Sequence, residues 1–218
     1  MELLKALVAF GGRDVSLEQL ADALWPRIDS DYAHRSLTTT LHRLRKILGD
    51  DAALIVSDGA LSLNRHLFWI DCWAFDQQTA ACMSLISAGA DPEAIGTAAQ
   101  RALAYYRGPL LAADLDAPWA VAPREQRRNQ LLRVVTGCAQ ALEKEGAIER
   151  SLELYRHALE CEPHAEALHR RLMIGLKEAG RRAEAIEAYH ACKATLQAHL
   201  GVMPSPATMD IYQSLMTA

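Results

Sequence analysis

The side chains of this sequence that could do chemistry are concentrated in one basic stretch, residues 33–48. That stretch holds three arginines, one lysine and two histidines, and it contains no aspartate or glutamate. Guanidinium and ammonium groups bind the phosphates and the guanine edges of nucleic acids. The whole chain carries a formal net charge of −4, so the argument for nucleic-acid binding rests on this local stretch and not on overall charge.

The basic stretch has the periodicity of an amphipathic helix, which we predict over residues 32–48. At about 100° per residue, Leu37, Leu41, Leu44 and Leu48 fall within roughly 60° of one another and form a buried stripe. The polar residues lie opposite this stripe or on its flank. We predict that DNA is contacted by Arg35, Thr39, His42, Arg43, Arg45 and Lys46. The alternative is a solvated amphipathic helix whose basic face binds nothing.

The residues around the basic helix predict a winged helix-turn-helix. A first helix ends at two glycines, and Ser16 caps a second helix, with Gln19 three residues later as a capping box requires. A turn and the basic helix follow. Asp58 and Gly59 between two apolar runs then indicate a β-hairpin, the wing. We place this domain at residues 1–72 and expect a truncated form, because no strand pattern precedes its first helix.

After residue 71 the pattern is wholly helical, and two segments repeat at a fixed offset. LEKEGAIERSLELYRHA, starting at Leu142, aligns with LKEAGRRAEAIEAYHAC, starting at Leu176, at an offset of 34 residues. Their shared leucine, helix-ending glycine and tyrosine are typical of tetratricopeptide repeats, which build surfaces for protein partners. We predict that residues 73–218 form an all-α helical-repeat domain, so that the whole chain is mainly α. Its candidate contact surface includes His164, His169, Arg170 and Arg171.

Taken together, these motifs resemble a known bacterial family. LEQLADALWP and LTTTLHRLRKILGDD, followed by the hairpin, resemble the OmpR-type winged helix of bacterial regulators. AYYRGPLL, the pair Pro118 and Trp119, the two repeats and LGVMPSPATMDIYQSL resemble the bacterial transcriptional activation domain of the Streptomyces antibiotic regulatory protein family. The resemblance implies a transcription factor that binds promoter repeats and recruits RNA polymerase. WIDCWAF, starting at Trp69, is most similar to large multidomain regulators, so this sequence can also be part of a longer protein.

We predict no catalytic, cofactor-binding or metal-binding site and no membrane span. The sequence has no glycine-rich phosphate loop, no GxSxG and no HExxH. His157, Cys161 and His164 have ligand-like spacing, but Pro163 interrupts the helix between them. The five cysteines, an odd number without close pairs, favour the reducing cytoplasm. One further basic group could face DNA, an anionic ligand or, as we favour, solvent: Arg124, Arg127, Arg128 and Arg133.

The predicted function is that of a DNA-binding transcriptional regulator, an activator. Helix 32–48 binds double-stranded promoter DNA, the repeats contact RNA polymerase or a regulatory partner, and a homodimer is left open. The alternative is a protein–protein interaction module of a larger signalling regulator with no DNA binding of its own. The wing tip favours this alternative, because the Asp58 carboxylate would repel phosphate where the OmpR type usually offers a basic residue. A third possibility, a small-ligand sensor, rests on fold analogy alone.

Overall fold

The chain divides into two units in a computed structural model of the protein, which describes residues 1–217. Unit 1 consists of Met1–Ala74 and Pro109–Arg128. Unit 2 consists of Phe75–Gly108 and the residues from Asn129 onward. Unit 1 therefore contains the predicted winged helix and a later segment as well, whereas the division of the chain into domains at residue 72 stays a prediction.

Three helices of unit 1 form where the sequence predicts them. The N-cap of the second is Ser16, whose hydroxyl accepts a hydrogen bond from the backbone N–H of Gln19 at 3.4 Å. The third begins two residues earlier than predicted, because Asp29 caps it and its carboxylate accepts from the N–H of Asp31. Gly49, with φ of 74°, ends that helix in the left-handed conformation that glycine adopts without strain. The helices are α1 (Glu2–Ala9), α2 (Leu17–Leu24) and α3 (Ser30–Leu48).

The predicted hairpin is present, and the structure adds a third strand to it. The hairpin turn has Asp58 at φ 50° and Gly59 at φ 74°, which is the pair of positive φ values that a tight two-residue hairpin requires. The strand missed by the sequence analysis is only two residues long, too short to show an alternating pattern. The antiparallel sheet has the order β1-β3-β2, with β1 (Val15–Ser16), β2 (Leu54–Ser57) and β3 (Ala60–Leu63).

The leucine stripe of α3 packs into the core of unit 1, but its depth is uneven. Leu37 and Leu44 are each 3% exposed. Leu41 and Leu48 are only partly buried at the edge of the same core, so the expectation that all four leucines are buried is wrong for these two. Ala33, one turn before Leu37, is buried as well. The inward direction of α3 is thus fixed by Ala33, Leu37 and Leu44, which are spread from its first turn to its last two turns.

The segment Pro109–Arg128 belongs to unit 1 and contains two arginines whose role the sequence analysis missed. The Arg124 guanidinium donates hydrogen bonds to the carbonyl oxygens of Leu110 at 2.9 Å and of Asp114 at 3.2 Å. Arg127, 9% exposed, donates to the carbonyl oxygen of Cys72 at 2.9 Å. The favoured prediction that these two side chains face solvent is therefore wrong. Both guanidinium groups satisfy backbone carbonyls, which arginine can do at several oxygens at once because its donors form a planar fork.

The described residues of unit 2 form helices and no strands, as the sequence predicts. The long central helix begins at Val121, before Pro123, because proline is tolerated in the first turn of a helix. This helix and the one that begins at Asp71 each start in unit 1 and end in unit 2. The helices are α4 (Asp71–Ser87), α5 (Pro92–Tyr105), α6 (Val121–Lys144), α7 (Ile148–Cys161), α8 (Glu166–Glu178), α9 (Arg182–Leu200) and α10 (Pro206–Thr217).

The repeated tyrosines fill the spaces between the helices of unit 2, as the repeat pattern predicts. Tyr155 is fully buried, and its hydroxyl donates to Glu143 at 3.1 Å. Tyr189 is 6% exposed and stacks on Tyr212 of α10, with ring centroids 4.0 Å apart. The equivalent tyrosines therefore have different partners. In the first repeat the partner is a carboxylate of the preceding helix, and in the second it is an aromatic ring of the closing helix.

A network of hydrogen bonds around Glu166 fixes the start of α10 on α8. The Glu166 carboxylate accepts from the backbone N–H of Ser205 at 2.8 Å, from the Ser205 hydroxyl at 2.6 Å, and from the hydroxyl of Thr208. Arg170 lies 3.6 Å from the same carboxylate. Burial alone would raise the pKa of Glu166, but these hydrogen bonds outweigh burial and lower it. The Ser205 to Thr208 turn is thus anchored by a carboxylate that stays ionised.

His169 does not belong to the contact surface of the repeats, so its assignment there is wrong. Its side chain is buried, 6% exposed, and Nε2 lies 3.0 Å from the carbonyl oxygen of Pro163, to which it can only donate. Nδ1 is buried without a hydrogen-bond partner among the described residues. Burial lowers the pKa of His169 below the usual imidazole value, and the hydrogen bond to Pro163 only partly offsets this.

Truncation of α3 leucines should destabilise unit 1 according to their depth. We expect Leu44→Ala to lower the free energy of unfolding by about 2–5 kcal/mol, because a buried leucine leaves a cavity. Because Leu41 is only partly buried, Leu41→Ala should lower the free energy of unfolding by less than Leu44→Ala does. The four tryptophans, at 25, 69, 73 and 119, all lie in unit 1, so tryptophan fluorescence during urea denaturation reports on this unit. An equal loss of unfolding free energy in the two variants would contradict this packing of α3.

The buried imidazole should make unit 2 sensitive to mild acid. Because the pKa of His169 is lower in the folded protein, the unfolded chain binds more protons, and stability should fall as pH drops below about 6.5. His169→Gln keeps a donor for Pro163 and cannot titrate, so it should flatten this dependence. His199→Gln, at an exposed position, is the control and should not. Denaturation followed by circular dichroism between about pH 7 and pH 5 measures how the free energy of unfolding depends on pH. An unchanged pH dependence in His169→Gln would show that the buried imidazole is not its cause.

Candidate nucleic-acid interface

The second and third helices of unit 1, α2 and α3, form the helix-turn-helix, and α3 presents one polar face to solvent. Five of the six residues predicted to bind DNA are exposed on it: Arg35, Thr39, His42, Arg43 and Lys46. At about 100° per residue these five span an arc of roughly 100°, opposite the buried leucines. The structure therefore brings them together on a single surface, as the helical phase predicts.

No acidic side chain neutralises the cations of this face. Within residues 1–217, Arg35, Arg43 and Lys46 form no ion pair with a carboxylate. The only acid of α3 is Asp31, in the first turn. Arg43 and Lys46 lie in the last two turns, on the half of the helix remote from that acid. The C-terminal half of the face is thus positively charged and available to an anionic partner.

Arg45, the sixth predicted residue, has a different environment. It is half-buried, and its guanidinium donates to the carbonyl oxygen of Leu54 at 3.2 Å, while its Nε is buried without a partner among the described residues. Leu54 begins β2, one of the two edge strands of the sheet. Arg45 therefore ties the end of α3 to the wing, and a contact between its side chain and DNA stays a prediction.

The first half of the face contains an aromatic residue that the sequence analysis did not select. Tyr32 is 63% exposed, and the Arg35 guanidinium carbon lies 5.6 Å from the centroid of its ring. This distance is within the range of a cation–π interaction. Tyr32 precedes Arg35 by three residues, so the same helical phase that identified Arg35 could have found it. Thr39 also has a defined partner, since its hydroxyl donates to the Arg35 carbonyl oxygen at 3.0 Å.

The wing combines an acidic tip with apolar side chains. The Ser57 hydroxyl donates to the Asp58 carboxylate at 2.9 Å, and both residues are exposed. On β2, Ile55 is 47% and Val56 is 42% exposed. Neither the tip nor the strand offers a cation to phosphate, because the hairpin from Leu54 to Leu63 contains no lysine or arginine.

The polar residues of unit 2 do not form a comparable site. Arg170 is engaged with Glu166, and the rings of His164 and His199 meet edge to face with centroids 4.7 Å apart. The thiol of Cys161 is directed to the carbonyl oxygen of Tyr106 at 3.1 Å. In the described part of the chain, no three histidine, cysteine, aspartate or glutamate side chains are placed to share a metal ion. No helix within residues 1–217 is long and apolar enough to span a membrane.

Comparison with known proteins places this architecture among bacterial regulators. The regulatory protein AfsR of Streptomyces griseus is 29% identical to the chain, over 99% of the chain but only 22% of AfsR. The transcriptional regulator RedD of Streptomyces coelicolor is also 29% identical, over 93% of the chain and 59% of RedD. The transcriptional regulatory protein MoaR1 of Mycobacterium tuberculosis is 28% identical, over 93% of the chain and 67% of MoaR1. The chain thus spans less than two thirds of AfsR and of RedD.

A solved structure has the same fold. Mycobacterium tuberculosis EmbR, determined in complex with a low-affinity phosphopeptide, superimposes with a TM-score of 0.65 at 23% identity, over 98% of this chain and 57% of EmbR. The family model of the bacterial transcriptional activator domain matches residues 70–216. That family consists of transcription regulators and not of enzymes. The chain therefore belongs to the bacterial transcriptional activator domain family.

Proposed function

We propose that this chain is a DNA-binding transcriptional activator of the bacterial cytoplasm. It binds promoter DNA through the exposed face of α3, and the helices of unit 2 contact RNA polymerase or another regulatory protein. The observation that carries the DNA half of the proposal is the unpaired basic face of α3, opposite a leucine stripe and within a helix-turn-helix. The names of the relatives, which are regulators of transcription, support the same function.

The geometry of α3 suits the major groove, which is wide enough to admit one α-helix. The leucines hold one side of the helix in the core, so the opposite side is the one that a duplex would meet. Arg43 and Lys46, near the C-terminal end, are long, exposed and unpaired. Such cations bind phosphates and release counterions, which gives a binding affinity that falls as salt rises. The end of α3 would then hold the protein in position on the duplex.

The helices of unit 2 form a surface that suits the binding of a protein partner better than catalysis. Repeats of paired helices form extended surfaces whose binding residues lie between the packing positions. Exposed Arg171 and Arg133 are examples of such residues. An open recess of about 560 Å³ lies where α4, α5 and α6 approach one another, with Ile86, Gly137 and Lys144 in its lining. Apolar and charged groups side by side are common where proteins associate.

A second candidate function has one observation in its favour. The acidic wing tip lacks the cation that would bind phosphate, which fits an interaction module of a larger regulator without DNA binding of its own. A gel-shift titration of the purified chain with duplex promoter fragments separates the two functions. Retention of a discrete complex in the presence of excess unrelated duplex supports the activator. Absence of any complex, even at low salt, supports the interaction module.

Removal of one phosphate-binding cation should reduce the salt dependence of binding by a predictable amount. We expect Lys46→Ala to lower the slope of log affinity against log salt by about 0.9, the contribution of one neutralised phosphate. Lys144→Ala is the matched control, because Lys144 is an exposed lysine near a helix end in unit 2. It should leave the slope unchanged. Fluorescence anisotropy with a labelled duplex at several salt concentrations measures both, and equal slopes for Lys46→Ala and the unaltered chain would remove Lys46 from the interface.

The contribution of the wing can be tested through its single acid. Asp58→Asn removes the charge and keeps a residue that tolerates the positive φ of 50° at this position. If the wing lies beside the duplex, the loss of one repulsion should strengthen binding roughly two- to fivefold at low salt. The gain should shrink at higher salt, where charges are screened beyond about 10 Å. Unchanged affinity at low salt would place the wing away from the DNA.

A further inference from the structure

The first half of the α3 face carries side chains that differ in chemistry from the cations near its C-terminal end. We propose that this half reads two bases in the major groove, with Arg35 bound to a guanine and Thr39 in contact with the methyl group of a thymine. The inference rests on the proposed function, because it needs α3 to lie in the groove. It adds what that function leaves open, namely which base edges α3 recognises.

Arg35 is held in a conformation suited to a base edge. Its guanidinium lies over the ring of Tyr32, 5.6 Å from the centroid, and pairs with no carboxylate within the described residues. The stack restricts the rotamers of a long side chain, so less entropy is lost when the side chain binds. The donor fork of arginine matches the O6 and N7 acceptors of guanine, which is the commonest specific contact in the major groove. Tyr32 is then a positioning residue.

Thr39 presents its methyl group and not its hydroxyl hydrogen. The hydroxyl donates to the Arg35 carbonyl oxygen at 3.0 Å, one turn earlier in the helix, while the residue as a whole is exposed. This internal hydrogen bond fixes the rotamer of a β-branched side chain. The γ-methyl is then the apolar group that this exposed residue can offer to a partner. Threonine methyl groups contact the C5-methyl of thymine in major grooves.

The position and the spacing of the two residues agree with this assignment. In helix-turn-helix proteins the N-terminal part of the second helix approaches the base edges. Arg35 and Thr39 are one turn apart, about 6 Å along the helix axis, which corresponds to roughly two base-pair steps of about 3.4 Å. Asp29 and Asp31 lie at this end of α3, and their carboxylates disfavour contact with phosphate. Base edges, which include donors as well as acceptors, do not repel them in the same way.

The test uses the full chain and a duplex library with a randomised central segment. Repeated selection gives a preferred sequence, in which each guanine is then replaced by 7-deazaguanine, which lacks N7, and each thymine by uracil, which lacks the methyl group. We expect one guanine whose replacement weakens binding by the unaltered chain at least about fivefold. The same replacement should have little further effect on Arg35→Ala. One thymine, roughly two base pairs away, should show a loss of about fourfold on replacement by uracil, the equivalent of one buried methyl group.

Two matched pairs of variants separate these contacts from structural effects. Thr39→Val keeps the methyl and loses the hydroxyl, whereas Thr39→Ser keeps the hydroxyl and loses the methyl. The uracil penalty should persist in Thr39→Val and vanish in Thr39→Ser. Tyr32→Phe keeps the aromatic ring and should keep the 7-deazaguanine penalty, whereas Tyr32→Leu should reduce it. A ring that served only for stability would change affinity for all duplexes and leave the penalty intact.

Failure of the base assignment and failure of the proposed function give different results in these experiments. A selected sequence without such a guanine and thymine, or a uracil penalty that survives in Thr39→Ser, overturns the assignment of the two bases while DNA binding stands. Selection that yields no sequence bound better than the random library at any salt concentration overturns the proposed function, and this inference with it.

Discussion

Burial of Leu37 and Leu44 is the constraint on which the candidate interface depends. A helix turns by about 100° per residue, so two buried positions on one side fix the direction of every other side chain. Ala33, Leu37 and Leu44 lie within roughly 40° of one another and are all at most 3% exposed. The face that holds Arg35, Arg43 and Lys46 is therefore a consequence of how the core of unit 1 is packed. The buried leucines contact no ligand themselves, but they determine which side chains of α3 can contact one.

Close approach of helices imposes a different constraint in unit 2. Gly175 of α8 lies against Leu152 of α7, where an added Cβ would be 2.9 Å from the leucine Cδ2. A larger residue at position 175 would require the Leu152 methyl group to shift, so glycine here allows α7 and α8 to approach closely. Arg181, at the start of α9, forms ion pairs of 2.7 Å with Glu149 of α7 and of 2.6 Å with Glu184 of α9. All three side chains are at least 30% exposed, so these ion pairs contribute little to stability.

The sequence predicted features that have a local or a periodic signal, and it missed those that depend on a single distant partner. Helix periods and the 34-residue repeat extend over many residues, and Asp58 with Gly59 is a local turn signal; the elements that they predict are present. The roles of Arg124 and Arg127 depend on carbonyl oxygens up to 55 residues away, and no local pattern encodes such a pairing. His169 was misassigned for the same reason, because a polar residue between packing positions is exposed only if no neighbouring helix covers it. In the candidate site, the phase of α3 identified the exposed residues, but it could not distinguish Arg45 from Arg43.

The difference between arginines that are engaged within the protein and arginines that are unpaired determines what kind of DNA binding the α3 face can support. Arg45 is engaged with the Leu54 carbonyl oxygen, and Arg124 and Arg127 with carbonyl oxygens of unit 1. Arg35, Arg43 and Lys46 are the cations that remain unpaired on the exposed face of α3. Each neutralised phosphate contributes to affinity by releasing counterions, and this face offers only three unpaired cations. Electrostatic attraction alone would therefore hold one chain weakly to a duplex, and the acidic wing tip would weaken it further. A helix with few phosphate contacts must obtain selectivity from base edges, which gives the first half of the α3 face as much weight in recognition as the cations near its C-terminal end.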